Sequence, residues 1–197
     1  VRTFGTENGL PASVISGMTQ STDNLIWITT WNGLSCYDGY RFTTFRNIPG
    51  HDSQLTTNHL ISVMPATDGN LWTTAYTDDV YMFDSHKCQY VNVSALITKK
   101  FQSKFSLRKI YPLANGDTWV VGKYNEHYHM AKGDSDSDRD IRQFTLPGTL
   151  NKVVLDGFGD VVARHGRRKD PAHEERRETR RSEAGQQGGQ GEGSEGD

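Results

Sequence analysis

The stretch VISGMTQSTDNLIWITT, residues 14–30, is an apolar run, a polar turn of Ser, Asp and Asn, and a second apolar run carrying Trp27. The same plan returns in LISVMPATDGNLWTTA (60–75), LRKIYPLANGDTWVVG (107–122) and LNKVVLDGFGDVVARHG (150–166). Runs rich in Val, Ile, Thr and Trp, bounded by Asp, Asn and Gly, read as pairs of short strands joined by turns. The Trp after the turn falls at Trp27, Trp72 and Trp119, with Val162 in its place in the fourth stretch, so the spacings are 45, 47 and 43 residues. A period of ~40–50 residues is the length of one four-stranded propeller blade.

The remainder of each unit supplies two more strands. GLSCYDGYRFTTF (33–45) alternates around Asp38-Gly39, a dipeptide suited to a tight hairpin because Gly reaches positive φ without steric cost. VYMFDSHKCQYVNV (80–93) repeats this around Asp84-Ser85, and HYHMAKGDSDSDRDIRQF (127–144) does so around an acidic loop. A sustained 3.6-residue apolar period is absent, with only a short helical turn readable in SALITKKFQSKF (94–105). The sequence predicts an all-β partial β-propeller of three four-stranded blades plus the start of a fourth, with blades near 10–50, 56–94, 105–145 and 149–163. A β-sandwich would share the strand spacing, and the recurring Trp decides against it. A bulky ring recurring in mid-strand at the blade period is what packing between blades requires, so Trp27, Trp72 and Trp119 are expected in the core.

The fourth unit starts with Leu150, Val153 and Leu155 and the turn Asp156-Gly157-Phe158-Gly159-Asp160, then changes character from Arg164. Residues 164–197 hold too little apolar surface to offset the entropy of ordering, so a disordered low-complexity tail is expected there, behind a propeller segment over 1–163. Domain boundaries fall where few contacts cross, whereas this change cuts a blade at its second strand. An out-of-frame translation explains it, and a basic-acidic linker is the alternative. Three blades and a fraction do not close a ring, so this piece is expected to aggregate or stay partly unfolded.

Composition sets further bounds. Only 34% of the 197 residues are hydrophobic, low for a chain whose every part joins a core. The net charge of -2 leaves no electrostatic footprint for nucleic acid or an anionic membrane. The chain begins at Val1 and holds no apolar run of signal-peptide or membrane-span length, as expected of an excised piece. Cys36 and Cys88 sit in unrelated contexts that leave a disulfide open.

The stretch TENGLPASVISGMTQSTDNLIWITTWNGLSCYDGYRF (6–42) resembles the two-component regulator propeller, the extracytoplasmic sensor module of hybrid histidine kinase/response regulator proteins. Glu7-Asn8-Gly9-Leu10 matches its lead-in, Leu25, Trp27, Ile28 and Thr30 its central strand, and Gly33-Leu34 with Tyr37-Asp38 its third strand and hairpin. Asp68-Gly69-Asn70-Leu71-Trp72 with Phe83-Asp84, and Asn115-Gly116-Asp117 with Trp119-Val120-Val121-Gly122, carry it through the next two units, over roughly residues 4 to 163. Departures are Thr29, Thr73 and Thr74 in place of a small Gly, and Asp78-Asp79 in place of a Gly pair. The resemblance implies a periplasmic module of a homodimeric parent anchored in the inner membrane, ahead of a kinase core that this chain lacks. It also implies a ligand derived from complex carbohydrates, and as partners the missing blades and the kinase modules.

In a propeller the loops after the second and fourth strands of each blade form the usual binding face. Those after the second strand, TTWNG, TAYTDD and GKYNEH, place Trp31, Tyr76 and Tyr124 at comparable positions beside Asn32, Asp78, Asp79, Asn125 and Glu126. Aromatic faces stack on sugar rings while polar neighbours read hydroxyls, which makes Trp31, Asn32, Tyr76, Asp78, Tyr124 and Asn125 the candidate ligand residues. The competing reading has these aromatics covering the ends of neighbouring blades. The acidic loop 134–140 lacks the Gly and Glu of an EF-type calcium loop, with Arg139 and Thr145 in their places. His127 and His129 offer two imidazoles on one strand face without a third ligand. His173-Glu174-Glu175-Arg176 lacks the apolar stripe a phosphoacceptor helix needs. No catalytic motif, metal site or cofactor site is read, and this chain is expected not to be an enzyme. A carbohydrate-active lyase or hydrolase propeller, with an active site assembled from several blades, and a purely structural interaction propeller are the alternatives.

Overall fold

The computed structural model describes residues 3–50, 53–132, 140–146, 150–155 and 161–165. The first unit is a four-stranded antiparallel sheet in chain order, β1 (Ile15–Gln20), β2 (Ile26–Thr30), β3 (Gly33–Tyr37) and β4 (Phe42–Phe45). The second repeats it as β5 (Leu60–Pro65), β6 (Leu71–Ala75), β7 (Val80–Asp84) and β8 (Gln89–Asn92). A helix, α1 (Val93–Phe101), leads to the third, β9 (Leu107–Pro112), β10 (Thr118–Gly122), β11 (His127–Met130) and β12 (Ile141–Phe144). β13 (Leu150–Leu155) and β14 (Val161–His165) pair as the first hairpin of a fourth. The described residues thus form a partial β-propeller, all-β apart from helix α1 and a 3-10 turn at Thr6–Asn8. β14 runs through His165, two residues past the boundary expected at 163. The turn 156–160, the acidic loop over 133–139 and the tail from 166 onward lie outside the described residues.

Strand alternation sends one face of each sheet to the next blade. In blade 1, Trp27 pairs with Cys36 and Thr29 with Leu34, and this face meets Leu71, Tyr81 and Phe83 of blade 2. Trp72, paired with Met82, packs in the same way against Ile110, Val120 and Tyr128 of blade 3. Trp119, paired with His129, lies with Val121 against Val153 of the fourth unit. All three Trp side chains are buried at seams between blades. Where Thr29 and Thr74 stand for an expected small residue, the partner on the inner strand is small instead, Gly17 opposite Thr29 and Ser62 opposite Thr74.

The opposite face of blade 1 differs from its counterparts. Counting back nine residues from each Trp gives Met18, Val63 and Ile110, of which Val63 and Ile110 are 7% exposed and Met18 is 67% exposed. Phe4 packs on Tyr37 and Phe42 at centroid distances of 5.1 and 5.6 Å and covers the outer part of that face.

Helix α1 exceeds the short turn expected over 94–105. Asn92 caps it, its side-chain oxygen accepting the Ala95 N–H at 2.8 Å, and Lys99 and Lys100 sit in the last turn, where cations suit the helix dipole. Val93 and Ile97 are buried in the core between blades 2 and 3, so tertiary packing stabilises a segment too short to be helical alone.

Both cysteines are free. Cys36 is buried in the first seam, and that burial, with Asp23 and Asp38 nearby, pushes its thiol up to about 11, while Cys88 is exposed. The thiolate is the nucleophile, so a maleimide reagent at neutral pH should modify Cys88 rapidly and Cys36 only on unfolding. Equal native-state rates at the two positions, read by mass spectrometry, would contradict this packing.

Candidate functional site

The turns after β6 and β10 are built alike, and the turn after β2 is one residue shorter. Asp78 N–H donates to Ala75 C=O at 3.0 Å, and Ala75 N–H to Asp79 C=O at 2.9 Å. Asn125 N–H donates to Gly122 C=O at 3.2 Å, and Gly122 N–H to Glu126 C=O at 2.8 Å. Each is a tight turn closed by a residue at positive φ, and the six-residue offset from each Trp selects Gly33 (φ 111°), Asp78 (φ 63°) and Asn125 (φ 68°). Asn and Asp tolerate this region better than other non-glycine residues, which accounts for Asp78 where a Gly was expected. Asp78 and Asn125 therefore shape their turns, and Asn32 is also engaged, its side-chain N–H donating to Pro11 C=O at 3.1 Å.

The same count corrects the alignment of the aromatics. Four residues after each Trp stand Trp31, Tyr76 and Lys123, so Tyr124 lies one place further on, level with Asn32 and Thr77. Backbone pairing agrees: Tyr76 N–H donates to His59 C=O at 3.2 Å and Lys123 N–H to Ser106 C=O at 2.9 Å, just ahead of β5 and β9. Tyr124 is strongly exposed, its backbone N–H donating to Glu126 at 3.0 Å.

His59, which no sequence signal singled out, joins the two aromatics that do correspond. Its ring lies 4.5 Å from that of Trp31 and 4.9 Å from that of Tyr76, the latter nearly parallel at 25°. Trp31 is 55% exposed and Tyr76 57% exposed, so a three-ring row bridges blades 1 and 2 on the rim. Beyond Tyr76, Lys123 pairs with Asp78, and the Ser106 hydroxyl donates to the same carboxylate oxygen at 3.4 Å. The Leu107 N–H donates to Asp78 C=O at 2.8 Å. Asp78 thus ties blade 2 to blade 3 through backbone and side chain. An exposed ion pair contributes only about 0–1 kcal/mol to stability, so the backbone bond and the packing beneath hold this seam.

A second opening, of about 850 Å³, lies on the outer side between β4 and β8, lined by Arg46, Gln54, Cys88 and Tyr90 among others. None of the candidate residues lines it, but it reaches the first rim turn, since Pro11, which takes the Asn32 amide, and Phe45 and Arg46, which crowd Gly33, belong to its wall.

The two imidazoles of β11 serve packing and turn structure. His127 is buried and takes the Trp119 indole N–H at 3.5 Å, while His129 bonds Asp117 at 3.1 Å. Burial opposes the charge on Asp117, but the Lys132 backbone N–H at 2.7 Å, with His129 and Asn115, outweighs it and holds the carboxyl below its ordinary value. A depressed carboxylate stabilises the fold above the ordinary range near ~4, and that contribution fades as pH falls through the folded value. Asp117→Asn should therefore be less stable than the parent at neutral pH, with the gap shrinking in urea melts at about pH 3. A pH-independent gap would sink this assignment. Among the described residues, no three His, Cys, Asp or Glu side chains converge as metal ligands, and no helix is long and apolar enough to cross a membrane.

No protein-family model and no curated protein matches the chain. Among solved structures, it is similar to the extracellular domain of the one-component system BT4673 from B. thetaiotaomicron, with TM-score 0.53, 19% identity, and coverage of 78% of this chain and 22% of that one. A second structure, the extracellular domain of BT4673 described as a hybrid two-component system, gives TM-score 0.51 and 19% identity over 81% of this chain and 21% of that one. The chain spans about a fifth of the length of these domains, and what it shares with them is the fold: consecutive four-stranded antiparallel blades packed face to face.

Proposed function

We propose that this chain is part of the extracytoplasmic ligand-sensing propeller of a two-component signalling protein, with a carbohydrate-derived ligand. The observation that carries the reading is the exposed row Trp31–His59–Tyr76, flanked by the Asp78–Lys123 pair, on the rim formed by the turns after the second strands. Ring faces beside carboxylate, ammonium and hydroxyl groups suit a pyranose, whose C–H face stacks while its hydroxyls donate and accept. The two-component likeness of residues 6–42 and the shared fold with the BT4673 extracellular domain support the sensor part of the reading. In the whole protein, which we place in the periplasm as a homodimer anchored in the inner membrane, ligand binding would favour one of two sensor arrangements and so bias a kinase beyond the membrane. Titration of neutral oligosaccharides of increasing length, followed by calorimetry, tests the reading. Saturable binding without turnover of the sugar supports it, turnover would favour a lyase or hydrolase, and no binding up to millimolar concentration would leave a structural interaction module.

A further inference from the structure

The rim row is not a set of equal platforms. His59 lies between Trp31 and Tyr76, so their facing sides are spent on the imidazole and each aromatic keeps only its far side for a ligand. Next to Trp31 in its turn stands Asn32, whose amide is committed to Pro11 C=O. Tyr76 stands two residues before Asp78 in the same turn, and Asp78 is held there by Lys123 and Ser106. Lys123 and Ser106 both address the Oδ2 atom of Asp78, and among the described residues its Oδ1 takes no hydrogen bond. A half-exposed ammonium retains donors for solvent or ligand.

We propose that the ligand is seated at the seam between blades 2 and 3, its ring stacked on the far face of Tyr76 and its hydroxyls read by Asp78 Oδ1 and Lys123. His59 is a positioning residue that backs Tyr76 and fixes its tilt without touching the sugar. This rests on the carbohydrate reading above and narrows it to one subsite. The ligand class is a neutral pyranoside with adjacent hydroxyls, because a carboxylate and an ammonium side by side bind a donor and an acceptor on neighbouring carbons.

The test uses the full 197-residue chain and the tightest binder among neutral trisaccharides of glucose, galactose, xylose and mannose, by calorimetry. Tyr76→Ala and Lys123→Met should each weaken binding by about tenfold or more, one decade in Kd. Asp78→Asn, which keeps a residue tolerant of positive φ, should weaken it by about fivefold while leaving the turn intact. His59→Ala should lower affinity and His59→Phe restore it, since Phe stacks but cannot make the hydrogen bonds of an imidazole. Tyr40→Ser, at a strongly exposed ring in the turn after β3, should bind as the parent does. If a trisaccharide binds and both Tyr76→Ala and Lys123→Met stay within about twofold of the parent, the subsite is wrong and the carbohydrate reading stands. If His59→Phe binds as poorly as His59→Ala, the positioning role is overturned. If none of the trisaccharides binds up to millimolar concentration, the carbohydrate reading and this subsite fail together.

Discussion

Trp72→Ala should cost the fold about 3–5 kcal/mol and move its unfolding transition to far lower urea. The side chain is buried at the seam between blades 2 and 3, and truncating a buried Trp costs about 3–5 kcal/mol once the cavity is counted. Domains of this kind hold about 5–15 kcal/mol in total, so the loss removes a large share of the folding free energy. Trp72→Phe should be much milder. The indole N–H of Trp72 is buried without an acceptor among the described residues, so replacing the ring gives up volume but no hydrogen bond. Trp27 offers the contrast, because its indole N–H donates to the Ser21 hydroxyl at 3.0 Å and Trp27→Phe would give up that bond, although the hydroxyl still reaches Asp23 and the Leu25 carbonyl. Urea unfolding followed by far-UV circular dichroism ranks the variants; a Trp72→Ala transition near that of the parent would refute the seam assignment.

Gly33→Ala should be the second most damaging of the changes considered. Gly33 sits at φ 111°, and an added Cβ would lie 2.8 Å from the Phe45 carbonyl oxygen and 2.9 Å from Arg46 Cβ. Left-handed backbone costs an L-residue roughly 1–2 kcal/mol and overpacking adds roughly 1–3, so a loss of about 2–5 kcal/mol is expected. The Gly33 N–H donates to Asn58 C=O at 2.8 Å, so a shift of this turn would also disturb the residues leading to His59. Gly33→Asn should fare little better, since the tolerance of Asn for positive φ does not remove its Cβ. Thermal melts of both variants, with Asp78→Asn as the tolerated counterpart, test the point; a neutral Gly33→Ala would show that the turn is free to move.

The repeat was legible because a propeller reuses one packing problem: a large ring on the second strand must fill the gap to the next blade, so Trp recurs at the blade length. Turn positions could also be counted from that Trp, but the sequence reading aligned them by aromatic character and so placed Tyr124 with Trp31 and Tyr76. Counting four residues from each Trp gives Lys123, as the backbone hydrogen bonds confirm. His59 was invisible because it sits in the lead-in to β5, where nothing repeats its chemistry; its counterpart ahead of β9 is Ser106. Helix α1 reads only as a turn in the sequence because nine residues are too short for a sustained apolar period, and its stability comes from the seam it covers. The roles of Asn32, Asp78 and Asn125 in chain geometry emerge from backbone angles and side-chain bonds that residue type alone does not reveal.

The seams carry private signatures. Opposite the Trp on the facing face stand Cys36 in blade 1, Met82 in blade 2 and His129 in blade 3, and two residues away stand Leu34, Val80 and His127. Blades alike in outline thus differ in what they offer a neighbour: a small thiol, a flexible thioether or an imidazole. A blade docked out of order would press one of these against a surface shaped for another, leaving a void or a clash in the seam. Repeat proteins risk misassembly because their units look alike to one another. Here each junction is addressed, and the order of the blades is written into the few side chains that face the Trp.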